Sequence, residues 1–427
     1  MSSSEEEFCL SRCFEPLELK GCGAINGASV QLKNCLIKAA THDGSSFEEM
    51  EETYARLARN NVGLITVAYV SVSGCNKTFD HQHHIGKDNI PQWKRLCDVV
   101  HASGAKISAQ LHHPGFFCMS SDGRAMGPSI GFLPGGNLWP LPYPMTTSDI
   151  KNVLQEYEEA AARCSECGFD CIELHCGHGY LLSQFLTPIL NRRGDAFGGS
   201  TKKRARFPIE ALRRVQEASN LPVIVKMNAE DGFPGGLKVA EAAKIAQLFA
   251  DEGAAAIVPS FGYTSLNGFG MLRGNVPHAR MTETMKGVTW LIMKLFGKLL
   301  VPNIPFESAF LRTHAKSFSD ALRGTFCKVI YIGGIDGAES LRVVFSECGC
   351  DGAQIGRALI REPDFVQRLQ KENNNSVSSK CIRCNLCTLA SLDPKLPSGC
   401  PFYRKEAKKK NEDIEDLGAR FSAKSRI

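Results

Sequence analysis

Eight short apolar segments recur along this chain, and most of the intervals between them repeat apolar residues with a helical period. The segments cover residues 35–40, 63–69, 106–111, 171–175, 223–228, 256–260, 329–334 and 352–357. In the interval 47–59, for example, Met50, Tyr54 and Leu57 fall on one face of a helix. Strands that alternate with helices predict a parallel sheet. Eight such units favour an α/β fold of the closed (β/α)8 TIM-barrel type over an open doubly wound sheet.

Two segments depart from the even rhythm of a barrel. Residues 261–327, an inserted segment after strand six, are longer than one barrel helix needs, and residues 373–427 follow the eighth unit. The insertion would lie over the strand ends, where TIM barrels carry their active sites. It is either a lid over a substrate or a rim element with no role in turnover. We therefore expect a barrel domain at 1–372 and a cysteine-containing extension with a charged tail at 373–427.

The charge distribution limits the partners of the chain. Its 427 residues carry a net charge of only +5, and Lys and Arg are spread along it until a basic run at 405–410, so we expect no nucleic-acid partner. The apolar stretch 288–301 is interrupted by Lys294 and Lys298 and is shorter than the ~20 residues that span a bilayer. We expect no membrane span.

Cysteine usage and the chain ends bear on the cellular compartment. The acidic N-terminus lacks the features of a signal peptide, which predicts that the eighteen cysteines are reduced in an intracellular protein. The last three residues, Ser425, Arg426 and Ile427, loosely match the C-terminal address of peroxisomal matrix proteins. A cytoplasmic location is the first expectation, and the peroxisome is the alternative.

Glycines follow the last two strands of the expected barrel. Gly333 and Gly334 end the seventh segment, and Gly356 and Arg357 end the eighth. These loops are where TIM barrels bind phosphate, because glycines let backbone N–H groups approach an anion and an arginine adds charge-assisted hydrogen bonds. Two such pairs at consecutive strand ends predict a phosphorylated ligand or cofactor.

The fourth segment runs directly into a cluster of two imidazoles and a phenol, namely His175, His178 and Tyr180. Side chains at the carboxyl end of a barrel strand can bind and protonate a ligand. A zinc site is an alternative, although the sequence suggests no third ligand and the adjacent glycines indicate a turn. Either histidine alone could also be a buried structural residue.

These residues and several further motifs resemble the Old Yellow Enzyme group of flavin oxidoreductases, with the FMN-binding barrel of bacterial 2,4-dienoyl-CoA reductase as a near relative. The resemblance covers residues 14–369. Its marks are a Gln-Leu-His-His-Pro-Gly block at 110–115, a Gly-Phe-Asp at 168–170, the His-Cys-Gly-His-Gly-Tyr-Leu block at 175–181, and the glycine pairs after the last two strands.

The resemblance implies an FMN cofactor with NAD(P)H as its reductant. The backbone after the first strand would lie along the flavin edge, Gln110 would hydrogen-bond the pyrimidine side, and Lys226 would sit beside flavin N1 and O2. A cation at that point favours the anionic reduced flavin. The implied cofactor positions are Ala39, Ala40, Thr41, Gln110, Lys226, Gly333, Gly334, Gly356 and Arg357.

The same resemblance implies a role for each member of the cluster. His175 and His178 would donate hydrogen bonds to a carbonyl or nitro oxygen of an alkene substrate, and Tyr180 would protonate its α-carbon. The expected reaction reduces the C=C bond of an α,β-unsaturated carbonyl, an enoyl thioester or a nitroalkene. The alternatives are a flavin-dependent NADH oxidase, an oxidative demethylase on the same fold, and a non-catalytic barrel that binds a phosphate ligand.

Four cysteines in the extension form a candidate metal site: Cys381, Cys384, Cys387 and Cys400. Four thiolates this close in sequence can surround zinc or an iron–sulfur cluster. The dienoyl-CoA reductase branch carries such a cluster here, but its third cysteine comes one residue later, where this chain has Thr388. A cluster, zinc and unligated thiols all stay open. Because those reductases continue into a second dinucleotide-binding domain, we expect this chain to take hydride at its own flavin.

Overall fold

A computed structural model describes residues 10–21, 27–42, 44–131, 141–283, 285, 287–391, 393 and 395–409. In these residues eight strands pair in parallel and close into a barrel. The strands are β1 (Leu36–Lys38), β2 (Leu64–Ser71), β3 (Lys106–His112), β4 (Cys171–Cys176), β5 (Val223–Glu230), β6 (Ala256–Phe261), β7 (Lys328–Ile332) and β8 (Gly352–Ile355). β1 pairs with both β2 and β8, which closes the ring. The predicted (β/α)8 TIM barrel is confirmed.

Helices connect the strands. They are α1 (Phe47–Arg59), α2 (Ile90–Ala102), α3 (Thr147–Cys167), α4 (Leu181–Leu186), α5 (Thr201–Ser219), α6 (Val239–Asp251), α7 (Thr264–Met271), α8 (His278–Glu283), α9 (Gly287–Leu300), α10 (Arg312–Ala321), α11 (Ala338–Arg342), α12 (Arg357–Arg361), α13 (Phe365–Glu372) and α14 (Pro401–Lys409). Outside the barrel, Leu17–Lys20 pairs antiparallel with Ser29–Leu32, and Met126–Gly127 pairs with Tyr143–Pro144.

Each predicted segment coincides with a strand, and the differences lie at the ends. The seventh strand stops at Ile332 because Gly333 and Gly334 have φ values of 111° and 77°, which start a turn. The eighth stops at Ile355 because Gly356 is the N-cap residue of α12. The residues predicted to bind phosphate thus belong to loops rather than to strands.

The first helix shows why the predicted intervals fold as helices. The Ser46 hydroxyl accepts a hydrogen bond from the Glu49 backbone N–H, and the Glu49 carboxylate accepts one from the Ser46 N–H, which forms a capping box. Met50, Tyr54 and Leu57 are buried, so the predicted face of this helix is confirmed. Burying an apolar side chain of this size contributes about 1.5–3 kcal/mol.

The long interval after β6 adds three helices before the regular barrel helix. α10 packs on α6 and β7, as a barrel helix does, and α7, α8 and α9 precede it. Met271 and Leu272 at the start of this addition and Phe306 near its end line the central pocket described below. The inserted segment therefore leaves and rejoins the barrel at the rim of that pocket.

The C-terminal extension folds back onto the barrel. Ser378 forms a bridge with Gly337, just after β7. The Arg361 guanidinium in α12 lies 2.6 Å from the Glu406 carboxylate in α14. The extension is thus held against the last two barrel units. Residues 425–427, which carry the peroxisomal resemblance, lie outside the described residues.

Two findings concern the cysteines and the membrane. The sixteen cysteines in the described ranges are all free. Among the same residues, each helix is too short or too polar to cross a bilayer. The expected absence of a disulfide framework agrees with the first finding.

Candidate active site

A pocket with about 860 Å³ of empty space opens at the carboxyl ends of the barrel strands. Its wall consists largely of the residues that follow β1, β7 and β8, with side chains from β5, β6 and the inserted segment. It brings together most of the residues predicted to contact a cofactor or substrate: Ala39, Ala40, Thr41, His178, Lys226, Gly333, Gly334, Gly356 and Arg357. Residues up to about 320 positions apart in the sequence thus share one site, as the barrel topology requires.

The loop after β7 forms one end of the pocket. A Cβ on Gly334 would lie 2.8 Å from the Glu307 carbonyl oxygen and 2.9 Å from the Ala309 backbone nitrogen. With φ at 77°, this position strains any other residue as well. Gly334 is therefore needed for the close approach of two backbone segments at the expected phosphate end.

Arg357 lies at the same end but is already hydrogen-bonded. Its Nη1 donates to the carbonyl oxygens of Leu272 at 3.1 Å and Arg273 at 2.9 Å, and to Asn385 Oδ1 at 2.6 Å. These contacts tie the barrel to the inserted segment and to the extension. The sequence predicted an anion ligand at Arg357, and the structure adds a structural role that the sequence did not indicate.

A buried polar group lies behind the pocket wall. The Lys226 ammonium donates to Glu173 Oε1 at 3.2 Å and to Gln354 Oε1 at 2.9 Å. Gln110 Nε2 donates to Glu173 Oε1 at 2.6 Å, and Gln354 Nε2 donates to Glu173 Oε2. The side chains of Lys226 and Glu173 are 1% and 0% exposed, so this is a buried ion pair. Gln110 thus contacts Lys226 only through Glu173.

Sequence reasoning missed Glu173 and Gln354. A signal was present, because Glu173 is the one charged residue of the otherwise apolar strand β4, and Gln354 stands in the buried strand β8. Strands of a parallel barrel read as near-continuous apolar runs, so a polar residue inside one indicates an interior polar contact.

The predicted histidine and tyrosine side chains meet at the edge of the pocket. The ring centroids of His175 and His178 are 4.9 Å apart, and those of His175 and Tyr180 are 5.0 Å apart. His178 Nε2 lies 2.7 Å from the Ser260 hydroxyl. His175 Nδ1 accepts a hydrogen bond from the Gly177 N–H, which leaves the proton of its neutral ring on Nε2 as a donor.

A strained turn after β4 sets these positions. His178 has a φ of 59°, which is uncommon for a residue with a side chain. Its backbone N–H donates to Asn228 Oδ1 at 2.9 Å, and its backbone pairs with Tyr263. Gly179, at φ 86°, lies against the Tyr263 ring, where a Cβ would come within 2.4 Å of Cδ1. The turn therefore requires glycine there and fixes the imidazole of His178.

Burial determines the protonation states in the cluster. Burial, together with the Lys226 charge, lowers the pKa of His178 to about 3. Burial also holds the pKa of His175 well below its ordinary value. Burial raises the pKa of Tyr180, and hydrogen-bonding interactions with the Tyr69 and Thr264 hydroxyls offset part of the rise. At neutral pH the cluster is thus two uncharged imidazoles and a protonated phenol.

Two further aromatic residues complete the surroundings of Tyr180. The Tyr69 ring lies 5.4 Å from it and the His112 ring 4.7 Å from it. His112 Nε2 contacts the Gln82 amide. His112 stands in the block at 110–115 that carried the family resemblance, whereas Tyr69 was missed because it reads as an ordinary strand residue of β2.

The four cysteines of the extension share a second pocket with about 320 Å³ of empty space. Cys381, Cys384, Cys387 and Cys400 all line it, together with Arg357. No three ligating side chains among the described residues are grouped closely enough for one metal ion. The four thiols therefore surround a space rather than a point. Cys381 and Arg357 also line the first pocket, so the two pockets adjoin.

Comparisons with known proteins agree with this geometry. The model of the NADH:flavin oxidoreductase / NADH oxidase family matches residues 12–264. The chain is 33% identical to 4,4'-dithiodibutanoate disulfide reductase from Rhodococcus erythropolis over 88% of this chain and 91% of that protein. It is 28% identical to NADH oxidase from Thermoanaerobacter brockii over 81% of this chain, and it spans only 49% of that protein.

A solved structure shows the same fold. The old yellow enzyme homologue from Zymomonas mobilis aligns with a TM-score of 0.63 at 19% identity, over 87% of this chain and 95% of that one. The family match covers more than half of the chain, and its residues include the strand ends that carry Gln110, His175, Tyr180 and Lys226. The chain therefore belongs to the NADH:flavin oxidoreductase / NADH oxidase family, and it is an FMN-type NAD(P)H oxidoreductase built on the Old Yellow Enzyme barrel.

Proposed function

We propose that this enzyme reduces the activated C=C bond of an α,β-unsaturated carbonyl, an enoyl thioester or a nitroalkene with NAD(P)H. The observation that carries the proposal is the contact of His175, His178 and Tyr180 at the edge of the strand-end pocket. Two neutral donors and a protonated phenol are the groups that such a reduction needs.

The pocket residues fit FMN. The glycine turns after β7 and β8 leave room for a phosphate, and Gly334 has no space for a side chain. Arg357 uses Nη1 for its protein contacts, which leaves its other nitrogens for the anion. Lys226 presents a buried cation to the pocket. When bound, FMN accepts hydride from NAD(P)H and passes it to the substrate.

The two histidines orient and polarise the alkene. Their pKa values are lowered by burial, so each holds one proton at neutral pH and can donate one hydrogen bond without carrying charge. Negative charge grows on the substrate oxygen as the β-carbon is reduced. Preplaced donors stabilise that charge in the manner of an oxyanion hole.

Tyr180 completes the reaction by protonating the α-carbon. Its raised pKa keeps the phenol protonated until the substrate demands the proton. Tyr69 lies beside it and interacts with its hydroxyl, so Tyr69 stabilises the phenolate that forms and helps to return a proton to it.

Substitution of Tyr180 by Phe tests this assignment. We expect the turnover of cyclohexenone to fall by about 10²–10⁴-fold, the usual contribution of a general acid, while NADPH still reduces the flavin at its normal rate. Tyr157 is a matched control, because it is a fully buried tyrosine in α3 outside the cluster. Full alkene turnover by Tyr180→Phe would remove this residue from the mechanism.

A disulfide is a second candidate substrate, because the relative from Rhodococcus erythropolis that matches 88% of this chain is a disulfide reductase. In this reaction hydride adds to one sulfur, the S–S bond breaks, and the other sulfur leaves as a thiolate. The thiolate needs no immediate proton, since free thiols have a pKa near ~8.5. Disulfide reduction would therefore tolerate Tyr180→Phe.

Turnover of 4,4'-dithiodibutanoate and of cyclohexenone by the same preparation distinguishes the two candidates. We expect kcat/KM to favour the enone, with strong loss on Tyr180→Phe. Preference for the disulfide, with little effect of that substitution, would replace the alkene as the substrate class.

We further propose that the cysteine pocket holds an iron–sulfur cluster. All four thiols face one space that is larger than a single ion requires, and the described residues offer no compact group of ligands for zinc. Protein purified without oxygen should contain iron and acid-labile sulfide in equal amounts, and Cys384→Ser should lose both. Cys75→Ser, at an exposed cysteine outside this pocket, is the control. Stoichiometric zinc, or no metal at all, would overturn the proposal.

A further inference from the structure

The helix α9 of the inserted segment exposes an unusual number of large apolar side chains. Leu299 is 79% exposed and Leu295 is 63% exposed. We call the exposed side of this helix the α9 apolar face; its residues are Leu291, Ile292, Leu295, Phe296, Leu299 and Leu300. A contiguous apolar surface of this kind marks an interaction site rather than ordinary surface.

The opposite side of α9 is held by the protein. Gly297 is buried, and a Cβ on it would lie 3.4 Å from Met293 Cε and 3.6 Å from His278 Cδ2 of α8. At 100° per residue, the side that packs on α8 and the α9 apolar face lie on different sides of the helix. The apolar face therefore points away from the inserted segment.

Lysines border the apolar face on one side. Lys294 and Lys298 are one turn apart and both exposed, and the Lys294 ammonium lies 4.5 Å from the centroid of the Trp290 ring. The helix contains no acidic residue. Leucine and phenylalanine on one face, with lysine and tryptophan at its border, is the composition of helices that lie in a membrane interface.

The surrounding segment is also basic. Residues 262–306 contain five Lys and Arg residues and one acidic residue, Glu283, which is paired with Arg280. Two copies of such a face would bring like charges together, whereas an anionic lipid surface complements them. At 14 residues the helix is about 21 Å long, too short to cross the ~30 Å hydrocarbon core, so it would lie parallel to the bilayer plane.

We propose that α9 docks this enzyme on an anionic lipid bilayer, with its apolar face buried at the boundary between headgroups and acyl chains. The inserted segment starts and ends at the rim of the strand-end pocket, through Leu272 and Phe306. Docking therefore holds the mouth of that pocket near the membrane, where apolar substrates partition. The docking surface itself does not depend on the proposed reaction.

Cosedimentation of the full chain with lipid vesicles tests the proposal. Wild-type protein should bind vesicles of phosphatidylcholine and phosphatidylserine, bind pure phosphatidylcholine weakly, and lose affinity as salt rises. Leu295→Ser and Leu299→Ser should each lower the partition coefficient by about tenfold. Lys294→Gln and Lys298→Gln should each lower it by about fivefold on anionic vesicles only.

Phe326→Ser is the matched control, because Phe326 is 70% exposed and precedes β7, at the opposite end of the barrel. It should bind vesicles like the wild type. Light scattering on the same preparations reports the alternative occupant. A wild-type dimer that Leu299→Ser converts into a monomer would show that a second copy covers this face, and would overturn the proposal. Equal vesicle binding by wild type and Leu295→Ser, or no binding by either, would do the same.

Discussion

The buried ion pair behind the pocket gives the most quantitative prediction. In Glu173→Gln, the Lys226 ammonium loses its only anionic contact in the described structure, 3.2 Å away, and stays almost fully buried. The carboxylate oxygens of Glu173 accept hydrogen bonds from Lys226, Gln110 and Gln354. The new amide replaces one of these acceptors by a donor, so at least one of the three donors loses its partner.

The expected cost is large. Breaking a buried ion pair by removing one partner costs about 3–5 kcal/mol, because an uncompensated charge remains. We therefore expect Glu173→Gln to lower the free energy of unfolding by about that amount. Adding Lys226→Met removes the stranded charge, so the double variant should lose less stability than the sum of the two single variants.

Urea unfolding of FMN-stripped protein measures these values. Glu210→Gln is the control, because it breaks the solvent-exposed pair of Glu210 with Arg206, 2.9 Å apart on one helix face. That substitution should cost no more than about 1 kcal/mol. If Glu173→Gln costs no more than this control, the buried pair does not stabilise the barrel as argued.

Three further predictions concern the turn and the cluster. Gly179→Ala should destabilise the protein more than Gly199→Ala in the same urea assay, because both have positive φ but only the first meets a neighbouring ring; equal losses would contradict the steric argument. Tyr69→Phe should slow alkene reduction by about two- to tenfold, as expected for one hydrogen bond, without changing flavin reduction by NADPH; an unchanged rate would exclude a role for this phenol. The pKa of His178 is lowered to about 3, so the unfolded state binds a proton that the folded state does not as pH falls below ~6.5. Stability should therefore decline between these values, whereas the rate of alkene reduction should show no break near ~6.5; such a break would mean that a histidine of the cluster titrates.

The barrel was predictable from the sequence because its strands are buried on both faces. Such strands are written in apolar residues, and the segments at 223–228 and 256–260 differ from the observed strands only at their ends. The glycine turns were predictable for the same reason, since each follows a clear strand. The strand ends then brought Lys226 and His178 into one pocket.

The polar contacts could not be predicted in the same way. Glu173 is satisfied by partners from three other strands, more than 50 residues away in each case. Sequence spacing does not reveal which buried residues face each other across a barrel. The engagement of Arg357 by the inserted segment and the extension depends on chain packing that no local pattern records.

The inserted helix shows a second limit. Its apolar period predicted a helix around 290–300, and α9 is there. An apolar face usually indicates core packing, and only the folded structure shows that this one is exposed.

The two half-reactions, followed separately without oxygen, test the central claim most directly. NADPH should bleach the flavin absorbance of the purified protein, and cyclohexenone should then restore it while the saturated ketone forms. Tyr180→Phe should leave the bleaching unchanged and slow the recovery by at least about 10²-fold. A flavin that NADPH bleaches but the enone does not restore, or a recovery equally fast in Tyr180→Phe, would contradict the proposed alkene reduction.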